Sequence, residues 1–370
     1  MMVLCLAAGM RQEAAAQPAA VVATNSTLTS IVTARFALWD ADSDGTLSPR
    51  ELDALMAQSE LTNELAAAVT ALKRATRSRT GSPPVLTLSN ILSFATNAPS
   101  TNYPALEKMY REGLKRLNGC TNRSLFASSL PRLETIHQGR LGNCFCLAPL
   151  GAMVHRDPER VFRLFTPHPD GTCSVRVGTN TVKVPLPTDA ELAMIASNEQ
   201  DGIWVNLYEK AAGQLRLETR PPTQRTNSVL DAIARGGSAG TMLSVLTGHP
   251  IKRFSFKFAK DSAVNAEARS IRLKELSRQL AEAAQSRRLM TCGTVKTTTP
   301  GLTPNHAYAV LDYSADSDSV TLWNPHGGSF KPKGETGLRH GYPQKDGIFR
   351  MPVADFVQQF SGMAFELAGG

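Results

Sequence analysis

The segment Gln138-Gly139-Arg140-Leu141-Gly142-Asn143-Cys144-Phe145 runs without a break into Cys146-Leu147-Ala148-Pro149-Leu150-Gly151-Ala152-Met153. Glycine and polar residues give way at Cys144 to a continuous apolar run, the pattern of a loop feeding a buried helix. A thiol in the first turn of a helix lies among backbone donors that have no intrahelical partner, and the helix dipole favours its anionic form. Pro149 costs a helix interior about 3 kcal/mol, and less within the first turn or two. Cys144 is therefore a candidate nucleophile. Gln138, six residues upstream, can bring its side-chain amide beside the backbone N–H of Cys144 to form an oxyanion pocket.

A thiol that attacks an amide also needs a base, and a group that orients the base. His306 lies in the strand-like run Pro304-Asn305-His306-Ala307-Tyr308-Ala309-Val310-Leu311, and Asn324 closes Val320-Thr321-Leu322-Trp323-Asn324-Pro325. Asp316, Ser317 and Asp318 between the two runs predict a hairpin, which would hold imidazole and carboxamide side by side. Taken singly, a buried Cys is usually inert core and a strand His a satisfied structural group. Taken together, the order Cys, His, Asn with a Gln just upstream is the papain-like arrangement, in which the Asn fixes the imidazole tautomer.

At this point the chain resembles the calpain family, since Gln138 to Cys144 is similar to its signature Q-G-x-L-G-D-C-W. Trp204-Val205-Asn206-Leu207-Tyr208-Glu209-Lys210-Ala211 resembles the segment W-x-x-L-x-E-K-A. Gly236-Gly237 with Thr247-Gly248 resembles the family's Gly-rich loop and T-G-G turn, and Asp346-Gly347-Ile348-Phe349-Arg350-Met351 through Asp355-Phe356 its D-G-E-F-W-M-x-x-x-D-F block. The resemblance covers residues 130 to 370 and implies a papain-like peptidase core with Cys144, His306 and Asn324 as catalytic centre and Gln138 at the oxyanion.

The departures from that pattern are specific. Asn143 stands where the family has Asp, Phe145 where it has Trp, and His326 where a Trp shields the Asn. His326 is expected to shield less well and to admit water to the bond between His306 and Asn324. The two calcium sites that the resemblance implies within the core are depleted, with Thr135 at one acidic position and Ile348 at another. The β-sandwich and C-terminal penta-EF-hand domains of classical calpains are not expected, because the sequence ends soon after the Asp355 block.

Upstream, residues 40 to 51 read Asp-Ala-Asp-Ser-Asp-Gly-Thr-Leu-Ser-Pro-Arg-Glu and fill every position of a twelve-residue EF-hand loop. Calcium takes six to eight oxygens; Asp40, Asp42 and Asp44 offer carboxylates, Thr46 its carbonyl and Glu51 a bidentate pair. Gly45 permits the sharp turn. The bland alternative is a solvated acidic turn that caps a helix, since Ser48-Pro49-Arg50-Glu51 has capping-box spacing. Residues 61 to 96 read as the partner helix-loop-helix, but Arg77-Ser78-Arg79-Thr80-Gly81-Ser82-Pro83-Pro84 has almost no carboxylate, so one Ca2+ per chain is expected.

The sequence of 370 residues is 42% hydrophobic, enough to bury a sizeable core, and carries a net charge of +8. The basic residues are scattered without an aromatic-interleaved stripe, so no nucleic-acid partner is expected. Six cysteines are too few and too dispersed for a disulfide framework. No apolar run nears the roughly 18 residues that an integral membrane span needs. Val3 to Ala8 followed by Ala14-Ala15-Ala16 leans towards an export signal, though without a basic start, and a cytoplasmic chain is the alternative.

The sequence thus leads to an α+β fold: a leader at 1–23, an all-α EF-hand pair at 24–99, a connecting helix at 100–117, and a papain-like core at 118–370 whose N-terminal subdomain is helical and whose second is antiparallel β. The expected activity is cysteine-type endopeptidase hydrolysis of polypeptides through a Cys144 thioester. Three rivals are a catalytically weak, calcium-responsive interaction module, acyl transfer to amines in the manner of transglutaminases, whose third residue is Asp where this chain has Asn324, and a nucleic-acid binder, which steep salt dependence would reveal.

Overall fold

The computed structural model describes residues 27–77, 83–96, 105–127, 130–196, 201–225 and 228–367. The leader at 1–23 and residues 78–82 of the acid-poor loop lie outside them.

Two helix-loop-helix units begin the described chain. Helix α1 (Leu28–Trp39) leads through the acidic loop into α2 (Pro49–Met56), and α3 (Asn63–Ala75) is followed by α4 (Leu88–Thr96). Ser48 caps α2 with its hydroxyl on the Glu51 N–H, Glu51 returns a bond to the Ser48 N–H, and Pro49 opens the helix, as the sequence pattern predicts. The two loops are tied by the Leu47 N–H donating to the Leu86 carbonyl at 2.9 Å. Helix α5 (Leu106–Gly119) then packs along α3.

Next come α6 (Cys144–Arg156), α7 (Pro158–Phe162), a small antiparallel sheet of β1 (Phe165–Pro167), β2 (Thr172–Val177) and β3 (Asn180–Pro185), and helices α8 (Asp189–Leu192), α9 (Trp204–Thr219), α10 (Val229–Ile233) and α11 (Ala239–Thr247). The second half is built on β4 (Ile251–Ser255), α12 (Lys257–Lys260), α13 (Ala266–Gln285), β5 (Met290–Thr294), β6 (Ala307–Ser314), β7 (Ser319–Trp323), β8 (Ile348–Pro352), α14 (Val353–Gln359) and β9 (Phe360–Glu366). Its six strands pair in the order β4-β9-β5-β6-β7-β8, every pairing antiparallel.

Both faces of this sheet are covered, which explains why β6 reads as a continuous apolar run rather than an alternating one. Ala307, Ala309 and Leu311 join Trp323 in the larger apolar cluster with α6, whereas Tyr308 and Val310 join Phe256, Leu276 and Phe356 in a second cluster beneath α12 to α14. The larger cluster is continuous from Leu28 and Trp39 through α3, α6 and α9 to Trp323. Helix α6 lies so close to the sheet that a Cβ on Gly151 would sit 2.3 Å from the Trp323 ring.

The mixed helix and sheet architecture is the α+β class expected from the sequence. Among the described residues no helix is long and apolar enough to cross a membrane.

Candidate active site

The loop that presents Cys144 is held on three sides. The Gln138 N–H donates to the Pro325 carbonyl at 2.7 Å, joining the helical half to the sheet half. The Arg140 N–H donates to the Met194 carbonyl at 2.8 Å, and Gly142 exchanges bonds of 2.9 Å with the Ala234 carbonyl and the Gly236 N–H. Gly139 passes so close to the 194–195 backbone that a Cβ there would lie 2.3 Å from the Ile195 oxygen, so only glycine fits. Asn143 is the N-cap residue of α6, and Cys144 is its first helical residue and buried.

The predicted hairpin is present: β6 and β7 pair with Ala309 opposite Trp323. His306 immediately precedes β6 and Asn324 immediately follows β7, so both side chains leave the same end of the hairpin. His306 Nε2 lies 2.8 Å from Asn324 Oδ1. With Asn324 offering an oxygen, Nε2 carries the proton and Nδ1 is the basic nitrogen. The Ala307 N–H, one residue on, points at Cys144 Sγ across 3.4 Å, which brings the start of β6 against the thiol.

Burial pushes the imidazole of His306 well below its ordinary range, the neighbouring His326 pushes it further, and the Asn324 bond opposes them only partly, leaving it at about 3. The imidazole is thus neutral at physiological pH, with Nδ1 unprotonated.

His326 lies over the base. Its ring stacks on that of His306, centroids 4.2 Å apart and planes 19° from parallel, and its backbone N–H donates to Asn324 Oδ1 at 3.0 Å. One face of the His306 ring is therefore covered, and His306 and Asn324 are 6% and 4% exposed. The other replaced aromatic, Phe145, is buried beneath the Arg216 guanidinium, which lies 4.6 Å from its ring centroid.

Gln138 Nε2 donates to the Leu141 carbonyl at 2.8 Å. This bond fixes the amide against its own loop and leaves the second N–H of the group for another acceptor.

Sequence reasoning missed what lies behind the cysteine. In α9 the residues from Trp204 to Gly213 are all buried, polar ones included. Asn143 Nδ2 donates to Glu209 Oε1 at 2.5 Å, the Ala196 N–H donates to Glu209 Oε2 at 2.8 Å, and the Tyr208 hydroxyl donates to the Cys146 carbonyl at 3.2 Å. Lys210 meets Glu191 at 2.7 Å. The signal was legible as Asn206, Glu209 and Lys210 at helical spacing within the otherwise apolar first ten residues of α9, where each polar group must have a buried partner.

Away from this centre, the carboxylates of Asp40, Asp42 and Asp44 each bring an oxygen within 4.8 Å of the others. Gly45 turns the loop at φ +83° and its N–H donates to Asp40 Oδ2 at 2.9 Å. Glu51 stands apart from the trio, accepting from the Ala41 N–H at 2.6 Å and the Ser48 N–H at 2.8 Å. Burial raises its proton affinity, but these bonds together outweigh it and hold the carboxyl below its usual range. At the depleted core position, the Thr135 hydroxyl donates to the Arg132 carbonyl at 2.9 Å, and Asp201 is 3.7 Å from the Arg132 guanidinium.

A family model described as calpain family cysteine protease matches residues 94–365, and this span takes in all four elements that carry Gln138, Cys144, His306 and Asn324. No curated protein matches the chain.

Proposed function

Since the chain belongs to the calpain family of cysteine proteases, we propose that it hydrolyses peptide bonds within polypeptides by way of a thioester on Cys144. The observation that carries this reading is the His306 to Asn324 bond of 2.8 Å with the Ala307 N–H on Cys144 Sγ. Cys144 Sγ attacks the scissile carbonyl carbon while its proton passes to His306 Nδ1, and the carbonyl π pair moves onto oxygen. The oxyanion meets the Cys144 N–H and the Gln138 amide, a contribution worth roughly 3 kcal/mol per donor. Collapse breaks the C–N bond, His306 gives its proton to the leaving amine, and water, deprotonated by the same imidazole, releases the acid.

The same reading extends to calcium at residues 40–51. Three carboxylates already converge, and the Thr46 carbonyl together with Glu51 would complete an oxygen set suited to a hard cation. To join that set, Glu51 would exchange backbone donors for the ion. Bound calcium would supply local charge and rigidity at the junction of α1 and α2, far in sequence from Cys144.

Labelling tests the catalytic proposal. A peptidyl chloromethyl ketone should add one inhibitor mass at Cys144, determined by peptide mapping, and His306→Ala should slow the labelling at pH 7 by at least about 100-fold. Equal labelling of all cysteines, or no effect of His306→Ala, contradicts it.

A further inference from the structure

Glu209 is fully buried and forms no ion pair among the described residues, Arg116 acting on it only through its longer-range charge. Its two oxygens are held only by neutral donors, Asn143 Nδ2 at 2.5 Å and the Ala196 N–H at 2.8 Å. A carboxylate kept out of water on such terms is costly, and the chain carries that cost directly behind the residue that precedes its nucleophile. Asn143 is equally buried, and its own Oδ1 has no hydrogen-bond partner among the described residues. Among the described residues, the bond to Glu209 is therefore the one that fixes the Asn143 side chain. The Asn143 backbone is joined to the peptide whose N–H, on Cys144, forms half of the oxyanion pocket, and the Asn143 carbonyl accepts the Cys146 N–H at 2.8 Å.

We propose that Glu209 and Asn143 are positioning residues which set the orientation of the Asn143–Cys144 peptide, and with it the oxyanion pocket. The inference rests on the peptidase reading of the site, but it concerns pocket geometry, not turnover. Burial, opposed by the Asn143 and Ala196 bonds and by the charge of Arg116, raises the Glu209 carboxyl to about 7. The titratable groups around it are Arg116 from α5, Cys146 from α6 and Tyr208 from its own helix. When Glu209 gains a proton, its hydroxyl can donate to Asn143 Oδ1 once the amide turns over, so the pair stays joined in two different arrangements.

The test compares two reactions of Cys144. A peptide aldehyde forms a hemithioacetal, in which sulfur bonds to carbon and the former carbonyl oxygen, gaining the π pair and the thiol's proton, enters the pocket; with iodoacetamide sulfur displaces iodide at carbon, its proton leaves to solvent, and no pocket is needed. Glu209→Ala and Asn143→Ala should weaken aldehyde affinity at least about tenfold, the scale of a misplaced oxyanion donor, while alkylation rates stay within about threefold. Glu209→Gln, which can donate to a turned Asn143 and accept from Ala196, should restore the affinity. Aldehyde affinity that falls in step with alkylation, or stays at the wild-type value in Asn143→Ala, overturns the inference. Should the alanine variants lose their thermal transition, Asn143→Leu, which fills the same space without a donor for Glu209, decides alone: it should weaken aldehyde affinity at least about tenfold with alkylation within about threefold, and an unchanged affinity overturns the inference. Failure of the wild type to cleave polypeptides would count against the peptidase reading and leaves the aldehyde comparison intact.

Discussion

The imidazole of His326 lies face to face with that of His306, ring centroids 4.2 Å apart. The stack covers the base while the outer face of His326 meets solvent. A stacked ring excludes water from the hydrogen bond beneath it, and such bonds strengthen in lower dielectric. His326→Ala should therefore lower kcat/KM on a fluorogenic peptide by roughly fivefold, about 1 kcal/mol of transition-state stabilisation, and His326→Phe should recover most of it. Equal activity of His326→Ala and wild type would mean that the stack does not matter.

Acid should destabilise the fold through His306. Its folded value of about 3 lies below the ordinary histidine value of 6.5, so between those limits the unfolded chain binds a proton that the folded chain does not. Stability from this group is complete above pH 6.5 and declines as pH falls towards 3. The melting temperature of the wild type should fall from pH 7 to pH 4.5, and His306→Gln should flatten that decline. A decline as steep in the variant would place its origin elsewhere.

Lys73 in α3 is buried between Asp53 of α2, at 2.5 Å, and Asp231 of α10, at 2.8 Å, and Arg77 also pairs with Asp231. Helix α10 leads into the Ala234 to Gly236 backbone that holds Gly142, two residues before Cys144. Removing one partner of a buried ion pair costs about 3–5 kcal/mol. Lys73→Met should lose about that much stability in guanidinium titrations and lower kcat as well. Combining it with Asp53→Leu should cost less than the sum of the single changes, since Asp53 is then no longer left facing a methionine while Asp231 keeps its pairing with Arg77.

A single calcium per chain is expected at residues 40–51. Titration calorimetry on the full chain should give one site, and Glu51→Gln should weaken it at least about tenfold by removing the bidentate ligand. Binding with an unchanged constant in Glu51→Gln and in Asp40→Ala would put the ion elsewhere.

The catalytic hairpin was legible because its chemistry is local: each of His306 and Asn324 adjoins a strand whose composition marks it, and a turn-rich loop joins them. The Cys144 helix was legible from its apolar run, and α2 from its capping box. Contacts made between distant segments were not. Nothing near residue 326 says that its ring will lie on His306, because that depends on how the chain turns after Asn324. The bond from Asn143 to Glu209 joins residues 66 apart, and only a polar pair out of place in an apolar helix hinted at it. Likewise nothing within residues 24–99 says that Lys73 of α3 will pair with Asp231 of α10, or that one apolar cluster will run from α1 to Trp323.

The most direct test is cleavage of unfolded casein by the full chain and by its Cys144→Ala variant, followed by electrophoresis and mass spectrometry of the fragments. The account predicts internal cleavage by the wild type and none by the variant. Fragments formed equally by both proteins, or by neither with and without calcium, would contradict it.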